Sequence, residues 1–296
     1  MMYALNFVLW ALAAMAIGLL FMGISRKLTA RLQRRYGPPF WQSFIDVIKA
    51  FSRKSISHNF IMDLCALMGL AGLLAAAMYV PMGGILPFPS DSPLILILYF
   101  MPIGYLGMAV SVSASGNPLA SIGIGRALTL MLGYEIPFAI VVMSFISNYG
   151  TTNILSIMQA QAGGIENWHI IKMPFGFLAS LLALEAMTGK KPFDVMIAPA
   201  EIASGPMVEL SGKFLGLAFL QYSVAVFVET GLLTALFLGG GATVWEFVLK
   251  QFIVYMVLTL FSEIYARYRV EQAVRFLWIY AGGLAVIQLA LNMYMK

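Results

Sequence analysis

Charged residues are scarce in this sequence: Asp, Glu, Lys and Arg make up 10% of the 296 residues, against about 25% in soluble domains. Apolar residues make up 61%, and the mean hydropathy is +0.87. A chain of this composition has too few polar side chains to cover a water-exposed surface. We therefore expect an all-α, polytopic transmembrane helix bundle rather than one or two soluble domains.

Cysteine and histidine are also scarce. The single cysteine, Cys65, excludes an internal disulfide, a thiolate zinc site and a cysteine-ligated iron–sulfur cluster on this chain. The two histidines, His58 and His169, are predicted on opposite sides of the membrane and cannot share a metal. The sequence contains no glycine-rich phosphate loop. The first apolar stretch is not followed by a small-residue cleavage site, so it is expected to be a retained span.

Runs of about 20 apolar residues are long enough to cross the hydrocarbon core as helices. About eight such runs are predicted within one integral membrane domain, residues 1–296, with seven or nine as alternatives. Alternate connections lie on the same side, at 25–58, 114–126, 190–212 and 266–275. The predicted spans are 3–24, 60–81, 94–114, 127–147, 173–189, 213–238, 246–265 and 276–295.

The basic residues fall almost entirely in those four connections. Of the 18 lysines and arginines, all but Lys172, Lys250 and Lys296 lie in or beside them. The positive-inside rule therefore predicts a multi-pass protein of the cell membrane with these loops in the cytoplasm and both termini outside. Lipid head groups or an acidic protein could bind this basic face. Nucleic acid is not an expected partner, because the charge is spread over four loops without a binding motif.

The first cytoplasmic loop contains a short amphipathic helix. Trp41, Phe44, Ile48 and Phe51 recur at spacings of three and four, with polar residues on the opposite face. About a dozen residues are too few to span the membrane, so the helix is expected to lie at head-group level. It is either a surface anchor or the roof or floor of a cavity where a soluble partner docks.

Three carboxylates, Glu135, Glu185 and Glu229, lie well inside predicted spans. A charge at the bilayer centre costs about 2.5–3.5 kcal/mol on insertion scales. Such a group either relays protons or forms an inter-helix hydrogen bond that holds the bundle together. Pro137 is expected to open the helix backbone beside Glu135, and Pro102 suggests a second irregularity.

The loop 190–212 carries three more acids, Asp194, Glu201 and Glu209, in an otherwise apolar segment broken by Pro and Gly. A solvated loop would contain more Ser, Asn and Lys. We therefore expect this loop to fold back into the protein, with its carboxylates facing a wet interior. Together with the acids of the spans, it forms a candidate chain of titratable groups from the cytoplasmic side towards the midplane.

Several motifs in one order resemble the heel subunit of respiratory complex I, also called its subunit 1. Two further segments, GPPFWQSFIDVIK at 37–49 and ASGP at 203–206, are closer to the matching subunit of energy-converting membrane-bound nickel–iron hydrogenases. Sulfane sulfur reductase complexes share this subunit and are not separated from them. The motifs are RKLTARLQRRYGP at 26–38, GYE at 133–135, PFD at 192–194, AEI at 200–202, VELSG at 208–212 and RYRVEQ at 267–272.

This resemblance implies a membrane anchor and ion-coupling subunit of a ferredoxin-linked complex that does no redox chemistry itself. Its implied partners are hydrogenase-like large and small subunits, which carry the iron–sulfur clusters and the nickel–iron centre, and antiporter-like membrane subunits. The implied proton path is Glu135, Glu185, Asp194, Glu201, Glu209 and Glu229. The residues implied in docking or charge tuning are Arg26, Arg34, Arg35, Asp46 and Arg126.

Some residues depart from the family pattern. Leu210 stands where the family usually has an aromatic residue, and VMIAP at 195–199 replaces a more acidic run, so a direct copy of the complex I proton path is not expected. The alternatives are a quinone-binding heel subunit of complex I, the same subunit in a sulfane sulfur reductase, a self-contained ion transporter and a plain structural anchor. Quinone is the less expected ligand because the chain is short.

Overall fold

The computed structural model describes residues 2–88 and 90–294. Within them all regular structure is helical apart from one isolated bridge, so the prediction of an all-α polytopic bundle is confirmed. Lys296 lies outside the described ranges. A π-helical segment, Leu277–Gly282, joins α12 to α13. The helices are α1 (Met2–Leu32), α2 (Gln42–Ser52), α3 (Phe60–Ala77), α4 (Pro93–Ser113), α5 (Pro118–Tyr149), α6 (Ile154–Gln159), α7 (His169–Lys172), α8 (Pro174–Met187), α9 (Pro199–Ile202), α10 (Lys213–Phe237), α11 (Val244–Ile264), α12 (Val270–Phe276) and α13 (Gly283–Tyr294).

Seven helical stretches in the described residues are long and apolar enough to cross a membrane: α1, α3, α4, α5, α10, α11 and the run from α12 to α13. The remaining predicted span is α8, whose 14 residues extend about 21 Å, less than the ~30 Å hydrocarbon core. Its first turn is completed from α13, since the backbone N–H of Gly176 donates to Oε1 of Gln288 at 3.3 Å. A side chain thus satisfies an amide that would otherwise need water.

The predicted loop 114–126 is largely helical instead, because α5 begins at Pro118. The side chain of Asn117 accepts a hydrogen bond from the N–H of Leu119 at 2.8 Å, and proline is favoured at the first helical position. Arg126 is therefore carried on a helix. The same correction applies on a smaller scale to two other predicted loops, which lose residues to α1 as far as Leu32 and to α12 from Val270.

The expected breaks at the two prolines are also wrong. Helix α5 continues through Pro137 and α4 continues through Pro102. Each proline removes one backbone donor, and the hydrogen bonds on either side keep the helix intact. The irregularity lies in the neighbouring π-helical segment, where Gly282 comes close to the ring of Pro137.

Helix α10 is the centre of the bundle. Every residue from Ser223 to Phe237 is buried, as expected of a helix that is apolar all round. Helix α1 approaches it so closely that an added Cβ at Gly18 would lie 1.9 Å from the carbonyl oxygen of Ser223. Helices α2, α3 and α11 also pack against α10. The side chains of α10 therefore face protein on all sides.

The predicted amphipathic helix is present as α2. Nη1 of Arg26, on α1, donates to Oδ2 of Asp46 at 2.6 Å and fixes α2 to α1. Partial burial acts to raise the pKa of Asp46, but hydrogen bonds from Gln42 and Arg26 outweigh it and hold the pKa below its usual value. Ile48 and Phe51 remain exposed, so part of the apolar face is open to lipid or to a partner.

Candidate functional site

Two acids are buried inside the bundle. Glu229, on α10, is 2% exposed, and Glu185, on the last turn of α8, is 6% exposed. Oε1 of Glu229 accepts a hydrogen bond from the hydroxyl of Tyr105, on α4. Its Oε2 and the Oε1 of Glu185 are buried without a hydrogen-bond partner among the described residues. Neither acid forms an ion pair there, which leaves both free to exchange a proton.

The third membrane acid, Glu135, lies beside a small cavity on the other side of Tyr105. This cavity, of about 140 Å³, is bounded by α4, α5 and Met187, and both Tyr105 and Tyr134 contribute to its wall. A cavity of this size with polar groups in its wall has room for a few water molecules. Glu229, Tyr105 and Glu135 therefore form one connected set. Pro102 lines the same cavity, so it shapes the wall without breaking the helix.

A larger cavity of about 560 Å³ lies at the basic end of the bundle, the end that carries Arg26, Arg126 and Arg267. It lies between α1 and α11, and Lys190 forms part of its wall. Its polar lining includes Ser25, Arg26, Thr29, Arg35, Tyr36, Lys190, Tyr222, Tyr255, Thr259 and Ser262.

Buried tyrosines connect this larger cavity to the membrane acids. The hydroxyls of Tyr255 and Tyr222 are hydrogen-bonded to each other, and the hydroxyl of Tyr222 also donates to the carbonyl of Thr188 at 2.8 Å. Tyr222 interacts electrostatically with Glu229. The chain from the cavity to Glu229 therefore passes through groups that can both donate and accept a proton.

Asp194 and Glu201 lie outside this set, in ion pairs with arginine. Nη2 of Arg267 donates to Oδ2 of Asp194 at 2.7 Å, and its Nη1 lies 3.7 Å from Oε1 of Glu201. Nη1 of Arg126 donates to Oε2 of Glu201 at 2.7 Å, and this hydrogen bond lowers the pKa of Glu201. Glu201 is 52% exposed, so the expectation that it faces the interior is wrong. The arginines draw it to the surface.

Glu209 is held by two partners from different parts of the chain. It accepts a hydrogen bond from Nδ2 of Asn117, the residue that caps α5, and lies 3.1 Å from Nε2 of His58. It therefore ties the end of loop 190–212 to the start of α5 and to the segment before α3. The structure does not bring it to the buried acids.

Of the remaining docking candidates, Arg34 is exposed just after α1, with a positive φ of 56°, and Arg35 lines the larger cavity. Four residues at the site were not singled out from the sequence: Tyr105, Tyr222, Tyr255 and Lys190. Lys190 was counted there only as a loop charge. Tyrosines at membrane depth are the signal that could have found the others, since a buried hydroxyl needs a partner.

Together the fold and these acids define a class: a multi-pass membrane bundle with titratable groups in its interior and an ion-paired loop at its basic end. Within the described residues, no group of three or more His, Cys, Asp or Glu could hold a metal ion. The sequence model of a family described as NADH dehydrogenase matches residues 5–293, and the chain belongs to that family. The resemblance inferred from the motifs is confirmed.

Relatives occur in several kinds of membrane complex. Hydrogenase-4 component C of Escherichia coli is 33% identical over 245 residues, which cover 79% of this chain and 76% of that protein. A subunit of the F(420)H(2) dehydrogenase of Methanosarcina mazei is 27% identical over 314 residues, which cover 93% and 89%. A chain of the membrane-bound sulfane sulfur reductase, an archaeal respiratory membrane complex, superimposes with a TM-score of 0.93 at 35% identity and covers 99% of this chain and 100% of its own length.

Proposed function

We propose that this chain is the membrane-anchor and ion-coupling subunit of a ferredoxin-linked, energy-converting complex of the hydrogenase type. Electrons would pass through hydrogenase-like large and small subunits that carry the iron–sulfur clusters and the nickel–iron centre. Antiporter-like subunits would continue the ion path within the membrane. The single cysteine of this chain cannot supply the four ligands of a typical cluster, which is consistent with redox groups on the partners.

The observation that carries the proposal is the burial of Glu229. Its only polar contact among the described residues is the hydroxyl of Tyr105, and no cation pairs with it. A carboxyl group with no fixed counter-charge can gain or lose a proton when its surroundings change, whereas an arginine pair would hold it charged. We assign proton exchange to Glu185, Glu229 and Glu135, and order in the docking loop to Asp194, Glu201 and Glu209.

The proposed orientation follows the basic residues. With the basic end in the cytoplasm of the cell membrane, the larger cavity opens towards the water on that side and both termini lie outside. The soluble redox arm would then dock on α2 and on loop 190–212, where Arg34 and the Arg126–Glu201 pair are exposed.

The test uses the complex extracted gently from native membranes. We expect hydrogenase-like subunits and nickel to co-purify with this chain. The Glu229→Gln variant should assemble and keep electron transfer but lose redox-driven proton uptake in vesicles. Glu271→Gln, an exposed acid at the same end, is the matched control. Unchanged proton uptake in the Glu229 variant would contradict the coupling function.

A second candidate is the same subunit in a sulfane sulfur reductase, favoured by the 0.93 TM-score and 35% identity to that complex. Iron–sulfur clusters without nickel in the purified complex would support it. The quinone-binding alternative takes its support from the 560 Å³ cavity and from relatives such as NADH-quinone oxidoreductase subunit 8 of Rhodothermus marinus, 29% identical over 77% of this chain and 71% of that protein. Quinone bound to the complex would support that alternative.

A further inference from the structure

Lys190 occupies an unusual place between the larger cavity and the membrane acids. Its Nζ donates to the hydroxyl of Thr259 and to the carbonyl of Tyr255, at 3.4 Å for the latter. The same nitrogen lies 3.6 Å from the centroid of the Tyr255 ring. No carboxylate among the described residues forms an ion pair with it. The side chain is thus mostly buried with neutral partners only.

Burial without a salt bridge makes the charged form of a lysine costly. Burial lowers the pKa of Lys190 to about 7, while the more distant charges of Glu185 and Glu263 act to raise it. Arg26 and Arg35 also line the cavity, and their positive charges disfavour a further cation. Both protonation states of Lys190 are therefore populated near neutral pH.

The two sides of Lys190 differ in kind. On one side is the cavity at the basic end, lined by the hydroxyls of Ser25, Thr29 and Ser262. On the other is Glu185, on the last turn of the helix that precedes Lys190, with a buried oxygen that lacks a hydrogen-bond partner among the described residues. Glu185 interacts electrostatically with Lys190. Lys190 is thus the titratable group that faces both the cavity and the first buried acid.

We propose that Lys190 takes up protons from the cavity and passes them to Glu185. In the forward step the ammonium group gives a proton to the Glu185 carboxylate, which leaves a neutral amine and a carboxylic acid. The amine then accepts a proton from water in the cavity, which restores the ammonium group. This inference rests on the proposed coupling function and adds the residue at which protons join the buried path.

The test compares substitutions at Lys190 in the intact complex, in inside-out vesicles that support redox turnover. Lys190→Arg keeps a positive charge but cannot release its proton, and Lys190→Met is neutral. We expect both to lose redox-driven proton uptake at least tenfold while electron transfer continues. Lys190→His can titrate and should restore part of the uptake, with a pH profile moved to lower pH. Lys191→Met, at the exposed neighbour, should match the wild type.

Each outcome separates this inference from the proposed function. Wild-type uptake in Lys190→Met, or a Lys190→His variant no better than Lys190→Met, would overturn the role of Lys190 and leave the coupling function standing. Wild-type complex that turns over without any proton uptake would instead refute the coupling function. Co-purification of the partner subunits shows that each variant assembles. If Lys190→Arg is too large for the site, the Met and His variants decide.

Discussion

The contact between α1 and α10 gives a sharp test of the fold around the site. Gly18 on α1 faces the backbone of α10, and a Cβ added there would lie 1.9 Å from the carbonyl oxygen of Ser223. Ordinary carbon contacts need about 3.5 Å. The Gly18→Ala substitution must therefore push the two helices more than about 1 Å apart, because a backbone atom cannot rotate away as a side chain can.

Two opposing effects set the magnitude. Overpacking a well-packed interior costs about 1–3 kcal/mol, whereas replacing a helical glycine by alanine gains about 0.5–1 kcal/mol. Gly125, on α5, isolates the second effect, since an added Cβ there meets nothing within 4 Å. Gly18→Ala should therefore destabilise the protein, and Gly125→Ala should leave it unchanged or stabilise it slightly.

The assay is thermal unfolding of the detergent-solubilised complex, followed by size-exclusion profiles after heating. We expect a lower midpoint for Gly18→Ala and an equal or higher one for Gly125→Ala. Since α1 and α11 bound the larger cavity and α10 carries Glu229, Gly18→Ala should also reduce proton uptake. A midpoint for Gly18→Ala at or above that of the wild type would refute the close backbone contact.

Two further substitutions test individual contacts of the site. Tyr105→Phe removes the only described hydrogen bond to Glu229; an unsatisfied buried group costs about 1–3 kcal/mol, so we expect a lower thermal midpoint and slower proton uptake. Arg267→Met removes the partner of Asp194 and should make loop 190–212 more sensitive to proteolysis, with a stability loss of about 1–3 kcal/mol.

Controls for both exist on the same helices or next to them. Tyr99→Phe changes an exposed tyrosine on α4, and Arg269→Met changes an exposed arginine two residues from Arg267. Equal thermal midpoints for Tyr105→Phe and Tyr99→Phe would contradict the buried hydrogen bond. Equal proteolysis rates for the two arginine variants would contradict the proposed role of Arg267 in ordering the loop.

The helix bundle could be predicted because the thickness of the membrane fixes the length of its helices. The predicted span 213–238 matches α10, Lys213–Phe237, and the predicted span 60–81 begins where α3 does, at Phe60. The start of α5 was also legible, since Asn followed by Pro is a helix-start signal. It was missed because the polar residues around it suggested a loop.

The partners of the acids could not be predicted from the sequence. Glu201 meets Arg126 and Arg267, which are 75 and 66 positions away along the chain, only because three loops converge at the basic end. The burial of Lys190 likewise depends on how its loop packs against α11. An interior acid and a surface acid have the same appearance in an apolar sequence. The structure separates them by the groups that face them.

That separation assigns different tasks to the two sets of acids. Arginine cannot release its proton in proteins, so the acids paired with Arg126 and Arg267 stay charged and hold the loop in shape. The buried acids face tyrosines and a lysine, whose protons can move. Lys190 stands just before that loop, which leads into α10, the helix that carries Glu229. Any displacement of the loop by a docked redox partner would therefore act on Lys190 at one end and on α10 at the other, and this geometry is how a change outside the membrane would reach the buried acids.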